Sequence, residues 1–164
     1  MMHAAFCSKR SRCRFLLVRR FPVSDSSGAR PMPQISAQDR AVLLDTARAA
    51  AARAYAPYSK FHVGAAVLTE SGNLYSGCNV ENASYGLTNC AERTAIFSAV
   101  AAEGPHMRLK AVAVWNDPPG PCAPCGACRQ VIFEFGPDAV VLYQGTDAVR
   151  ESRAAELLPN GFQF

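Results

Sequence analysis

The spacing of apolar and polar residues changes period several times along this chain, and each change marks an element. Ser36 is a helix-capping residue type, with Asp39 in the capping-box position three residues on, so a helix is expected from Ala37 to about Tyr55. Ala47 and Ala49 to Ala52 favour it, and Pro57 bounds it. From His62 to Thr69 the apolar residues Val63, Ala65 and Val67 alternate inside a continuous apolar stretch, the mark of a buried strand. Ser71-Gly72-Asn73 reads as a tight turn and Leu74 to Asn79 as the returning strand of a hairpin. Ala95, Ile96, Ala99 and Val100 form one stripe, which predicts a helix from Ala91 to about Glu103. Lys110 to Trp115 is read as a third strand, Asp117 to Pro124 as a Pro-rich loop and Gly126 to Phe135 as a helix. Ala139 to Tyr143 is read as a fourth strand, followed by a short helical piece around Glu156-Leu157-Leu158-Pro159 and room for one more strand. The order is α-β-β-α-β-α-β, an α/β arrangement that opens with a hairpin and continues through crossovers. Right-handed crossovers place helices on the faces of the sheet.

Charge divides the chain. The 164 residues carry a net +4, but residues 1–32 hold seven Lys and Arg against Asp25 alone, so the remainder is slightly acidic at −2. Residues 1–33 therefore read as a basic, Arg- and Ser-rich extension, and 34–164 as one domain. Three readings of the extension stay open: an organelle-targeting segment, a disordered tail, or sequence upstream of a start at Met32. The acidic body is a poor match for a polynucleotide, which calls for clustered cations. A small uncharged substrate suits it better. The run Phe15-Leu16-Leu17-Val18 is far too short for a membrane span, so no membrane partner is expected. Seven cysteines cannot all pair within the chain, and no secretory signal is visible. A reducing compartment and a cytoplasmic location are expected.

Four of those cysteines fall at 90, 122, 125 and 128. Cys125 and Cys128 stand i, i+3 in a helical first turn, and Cys90 opens another helix. Two helix N-termini facing one point carry partial positive charge, which favours thiolates. Three thiolates on Zn²⁺ leave the fourth tetrahedral position open, the mark of a catalytic rather than a structural site. Such a set bears a formal −1, which Arg93 and Arg129 are placed to temper by donating to the sulfurs. A metal of this kind brings the pKa of bound water from 15.7 towards roughly 7. Glu92 points to a different side of its helix from Cys90 and is free to carry protons. Blander readings exist for each residue: dipole complementarity for Glu92, and surface ion pairing for the arginines. For the cysteines the rivals are a closed Cys₄ zinc site recruiting Cys122, an iron–sulfur site and a redox Cys-x-x-Cys pair. The iron–sulfur run needs a further cysteine where this chain has Ile132. Only the catalytic reading gives Cys90 and Glu92 a joint purpose.

Four segments carry a resemblance. They are Tyr58-Ser59-Lys60-Phe61-His62-Val63-Gly64-Ala65-Ala66, Gly77-Cys78-Asn79-Val80-Glu81-Asn82-Ala83-Ser84-Tyr85-Gly86, Cys90-Ala91-Glu92-Arg93, and Pro124-Cys125-Gly126-Ala127-Cys128-Arg129-Gln130. In this order, across about residues 37–162, they resemble the small, homotetrameric, zinc-dependent cytidine deaminases. The zinc deaminases as a class use such a Cys₃ set with a non-ligand Glu. The resemblance implies a three-layer α-β-α sandwich around a mixed five-stranded sheet. It implies hydrolytic deamination of cytidine and 2′-deoxycytidine to uridine and 2′-deoxyuridine, with ammonia released, in pyrimidine salvage. Cys90, Cys125 and Cys128 match the zinc ligands and Glu92 the proton shuttle. Phe61 matches a residue packing on the pyrimidine, Asn79 and Glu81 the pair that binds the ribose hydroxyls, and the Ala91 backbone a group holding the base. Phe162 matches an aromatic reaching a neighbouring subunit's site, although Asn160-Gly161 stands where relatives carry another small pair. The alternatives are a deaminase of another cytosine-bearing compound and an inactive zinc-stabilised binding module.

Overall fold

The computed structural model describes residues 34–162. The basic extension, with Cys7, Cys13 and Met32, lies outside the described residues. Helix α1 spans Ala37–Ala51, and its N-terminus is capped by the Ser36 hydroxyl, which accepts from the Asp39 amide at 3.0 Å. It stops four residues short of the expected Tyr55. The chain tightens into turns at Arg53 and Ala54, and Tyr55 leaves to pair with Val80. A pull from pairing partners far along the chain overrides the helix-forming alanines here.

The hairpin forms as expected from β1 (His62–Thr69) and β2 (Leu74–Cys78). It is followed by α2 (Ala91–Glu103), β3 (Leu109–Asp117), α3 (Gly126–Phe135), β4 (Val140–Gln144), β5 (Val149–Arg153) and α4 (Ala154–Leu157). The sheet order is β2-β1-β3-β4-β5. Only β3 and β4 pair in parallel, and the other neighbours are antiparallel, so the five-stranded sheet is mixed. Strands β2 and β3 flank β1 and run the same way, so α2 and α3 both return the chain in one sense across the sheet. Both helices therefore cover one face.

The two faces are distinct cores. Val63, Ala65, Val67, Val112, Val114 and Val141 pack against Ala91, Ala95, Ile96 and Ala99 of α2 and Ile132 of α3. On the opposite face Ala66, Leu68, Ala111, Ala113, Val140 and Leu142 pack against Leu43 and Ala47 of α1. The result is the expected three-layer α-β-α sandwich. Small residues let the layers close. A Cβ on Gly64 would lie 2.0 Å from the Ala47 carbonyl oxygen and 2.3 Å from the Ala51 nitrogen of α1. On the other face a Cβ on Gly77 would lie 2.4 Å from the Ala95 nitrogen and 2.7 Å from the Ala91 oxygen. Both obstacles are backbone, which cannot rotate aside. Glu103 at the end of α2 holds the hairpin turn. Its carboxylate accepts from Thr69 at 2.9 Å and from Asn73 at 3.0 Å, and these bonds, Asn73's first, keep its pKa below the ordinary value.

Gly64→Ala is expected to cost about 3 kcal/mol or more in chemical denaturation, because overpacking against a fixed backbone has no cheap relief. Gly86→Ala, with open space around it, should fall within about 0.5 kcal/mol of the parent. A lowered carboxylate pKa stabilises the fold above the unfolded value and loses that effect as the pH falls through the folded one. The stability gap between the parent and Glu103→Gln should thus be present at neutral pH and close as the pH drops below about 4. Denaturation curves across pH measure this.

Candidate metal centre and adjoining cavity

Cys90 and Cys125 are the residues immediately before α2 and α3, and each has extended backbone angles. Neither side chain is spent on capping its own helix. Both are therefore free to turn toward one point, joined by Cys128 from the first turn of α3. The three sulfurs lie within 4.8 Å of one another, with Cys90 and Cys125 Sγ atoms 3.9 Å apart. Tetrahedral zinc with bonds of about 2.3 Å separates its sulfur ligands by about 3.8 Å, so the donor set fits that ion.

The electrostatics point the same way. The adjacent Cys128 thiol acts first on Cys90, and Arg93 adds a hydrogen bond and its charge. Together they pull Cys90 down to about 5. The same proximity to Cys90, with burial, pushes the Cys128 thiol up. A metal cation replaces thiol protons on binding. Arg93 Nη2 donates to Cys90 Sγ at 3.3 Å, as expected of a residue tempering thiolate charge. Arg129 departs from the expectation. Its Nε donates to the Pro124 carbonyl at 2.8 Å and its Nη1 to the Leu157 carbonyl at 3.1 Å, and it makes no hydrogen bond to the sulfurs. The guanidinium ties the cysteine loop to the C-terminal segment instead, because those two carbonyls lie beside its own first turn.

Cys122 stands outside the sulfur cluster. Its amide donates to the Gln144 carbonyl at 2.9 Å, a short strand-like bridge that fixes it against the end of β4. Burial, with the charges of Glu92 and Cys90 adding to it, pushes its thiol up to about 11. Its sulfur is not among the three that cluster, so the donor set is a trio and not the closed Cys₄ site.

A cavity of about 180 Å³ opens beside the sulfurs. Phe61, Asn79, Cys90, Ala91, Glu92 and Cys125 line it, together with Val63, Thr88, Asn89, Cys122 and Ala123. Glu92 is only 4% exposed, and burial raises its pKa above the ordinary carboxylate value. Phe61 stands at the wall, 43% exposed. The expected residues Asn79 and Glu81 are already engaged with the chain around Phe61. Asn79 Oδ1 accepts from the Val63 amide and its Nδ2 donates to the Phe61 carbonyl, both at 2.8 Å. Glu81 accepts from the Tyr58 amide at 2.8 Å, the Ser59 amide at 3.3 Å and the Ser59 hydroxyl. Glu81 lines a second, wider recess with Tyr58, Ser59, Tyr85 and Thr88, and Thr88 is common to both spaces. Phe162, 63% exposed, does not line the cavity; its carbonyl accepts from Gln130. Sequence reasoning missed Val63, Thr88, Asn89 and Ala123. Their one signal is adjacency to Cys90, Cys125 and the Phe61 segment.

Residues 37–144 match the family profile of the cytidine and deoxycytidylate deaminase zinc-binding region. A cytidine deaminase of Sporosarcina psychrophila is 51% identical over 122 residues, covering 73% of this chain and 88% of the relative. One from Halalkalibacterium halodurans is 48% identical over 126 residues, covering 76% and 94% respectively. Among solved structures, the cytidine deaminase of Burkholderia pseudomallei superposes with a TM-score of 0.68 at 50% identity, covering 78% of this chain and all of that one.

The sulfur geometry makes separable demands. Cys122→Ser should retain about one zinc per chain by elemental analysis, whereas Cys128→Ala should lose it.

Proposed function

The chain belongs to the cytidine deaminase family, and on that premise we propose that it hydrolyses cytidine and 2′-deoxycytidine to uridine and 2′-deoxyuridine with release of ammonia, a step of pyrimidine salvage. The observation that carries this reading is a buried carboxylate, Glu92, lining one cavity with two of the three clustered cysteines. Cys90, Cys125 and Cys128 would hold zinc, which when bound supplies the Lewis acid that activates water. Arg93 draws charge from the Cys90 sulfur.

Glu92 moves the protons. It takes one from the attacking water and places it on the ring nitrogen beside the amine-bearing carbon. It then passes a second to the leaving amine, so water and cytidine become uridine and ammonia. Burial suits it to this cycle, because a raised pKa lets one group both accept and donate near neutral pH. Phe61 packs on the pyrimidine, the Ala91 backbone meets the base edge, and Asn79 with Glu81 takes the sugar hydroxyls. We propose further that residues 34–164 are the catalytic domain and that the working enzyme is a cytoplasmic homotetramer. In that assembly Phe162 would reach a neighbouring subunit's site. No helix among the described residues is long and apolar enough to cross a membrane.

The decisive assay follows the ultraviolet change on cytidine, 2′-deoxycytidine and free cytosine, with zinc measured per chain. Turnover of both nucleosides is expected, with kcat/KM for cytosine lower by about 10³-fold or more, since a site built around hydroxyls rejects an analogue that lacks them. Bound zinc without nucleoside turnover would refute the reading. Glu92→Gln should keep its zinc and lose about 10³-fold in kcat. Retained activity would remove Glu92 from the mechanism.

A further inference from the structure

Cys122 is the one cysteine near the metal centre that the proposed chemistry does not use. It is half-buried, packs against the core beneath α2 and α3, and still lines the cavity. Its backbone is fixed by the bridge to Gln144, and Gln144 is fixed in turn. The Gln144 side-chain oxygen accepts from the Asn116 amide at 2.9 Å, and the Asn116 side chain donates to the Pro118 carbonyl at 2.9 Å. The loop that carries Cys122 is thus held at both ends of its span, and the cavity wall it forms has a set position.

The chemistry of the lining residues separates the two edges of a bound cytosine. One edge, with its ring nitrogen and carbonyl oxygen, needs polar partners, and the proposed function assigns Glu92 and the Ala91 backbone, both from lining residues, to it. The other edge carries only C–H groups at C5 and C6. Among the lining side chains Cys122 and Ala123 are small and carry no role in the proposed chemistry, and Phe61 and Val63 offer apolar surface. A protonated thiol packs as a small hydrophobe. The cavity measures about 180 Å³ and is only partly enclosed, so its wall residues decide what it admits.

We propose that Cys122 sets the size limit for substituents at C5 of the pyrimidine and is a specificity-determining residue of this enzyme. The proposal rests on the deaminase reading above. Removing the sulfur opens the C5 edge, and a branched side chain closes it. A gain or loss of one methyl-sized volume in such a wall is worth roughly 10-fold or more in discrimination.

The test measures kcat/KM for cytidine, 5-methylcytidine and 2′-deoxycytidine, zinc per chain, and dissociation constants for cytidine and 5-methylcytidine by calorimetry. It compares the parent with Cys122→Ala and Cys122→Val. The 5-methylcytidine to cytidine ratio should rise about tenfold in Cys122→Ala and fall about tenfold in Cys122→Val. The 2′-deoxycytidine to cytidine ratio should hold within about twofold, with zinc unchanged. A 5-methyl ratio that stays put in both variants while cytidine is turned over overturns the size limit and leaves the deaminase reading intact. So does a sugar ratio that moves with it, or loss of zinc. If the parent binds cytidine without turnover, the same ratios are read from the dissociation constants, and the deaminase reading alone fails. If it binds neither nucleoside, both fail.

Discussion

Everything at this centre depends on two helices starting at the same place. Each presents the cysteine just before its first residue, and a third cysteine follows one turn into α3. The sulfurs meet only because the chain segments before those helices are pinned from outside. Val80 exchanges backbone hydrogen bonds with Asn89, at 2.9 and 3.0 Å, and delivers Cys90. The Gln144 and Arg129 contacts with Cys122 and Pro124 deliver Cys125. Gly77 lets the first turns of α2 settle directly on β2, which fixes the depth at which Cys90 and Glu92 enter. The sulfur cluster is therefore placed by contacts to the backbone around it, and the side-chain core mainly sustains it.

The charge pattern follows from that placement. The clustered sulfurs at the helix starts shift one another's pKa, and Arg93 donates to the one that is pulled down, Cys90. Arg129 is the same residue type directly after the other motif, yet it serves structure. The difference lies in what each guanidinium can reach. Arg93 reaches a sulfur one turn back, while Arg129 has two backbone carbonyls nearer to it.

Much of this was legible in the chain. The hairpin and the two helices that follow the cysteine motifs fall within a residue of their expected bounds, because hydrophobic period decides them. The end of α1 was not legible, since Tyr55 leaves the helix for a bridge to Val80, twenty-five residues away. The exclusion of Cys122 from the sulfur cluster was expected from the catalytic reading and the resemblance, and the spacing of the cysteines could not show it. Spacing alone makes it equivalent to Cys125, and only its bridge to Gln144 separates them. Thr88, Asn89 and Val63 carry no motif of their own and enter the cavity through long-range pairing.

The Asn79 amide grips the carbonyl of Phe61 and the amide of Val63 at once. The side chain we propose for the sugar thereby also fixes the backbone on either side of His62, next to the Phe61 ring. Under the proposed roles, sugar tolerance and ring stacking would be mechanically one trait. Natural variation that alters Asn79 to admit a different sugar would also slacken the surface against which the base lies. Drift in sugar preference is then channelled to rim positions that hold no backbone, and this asparagine is left under a double constraint.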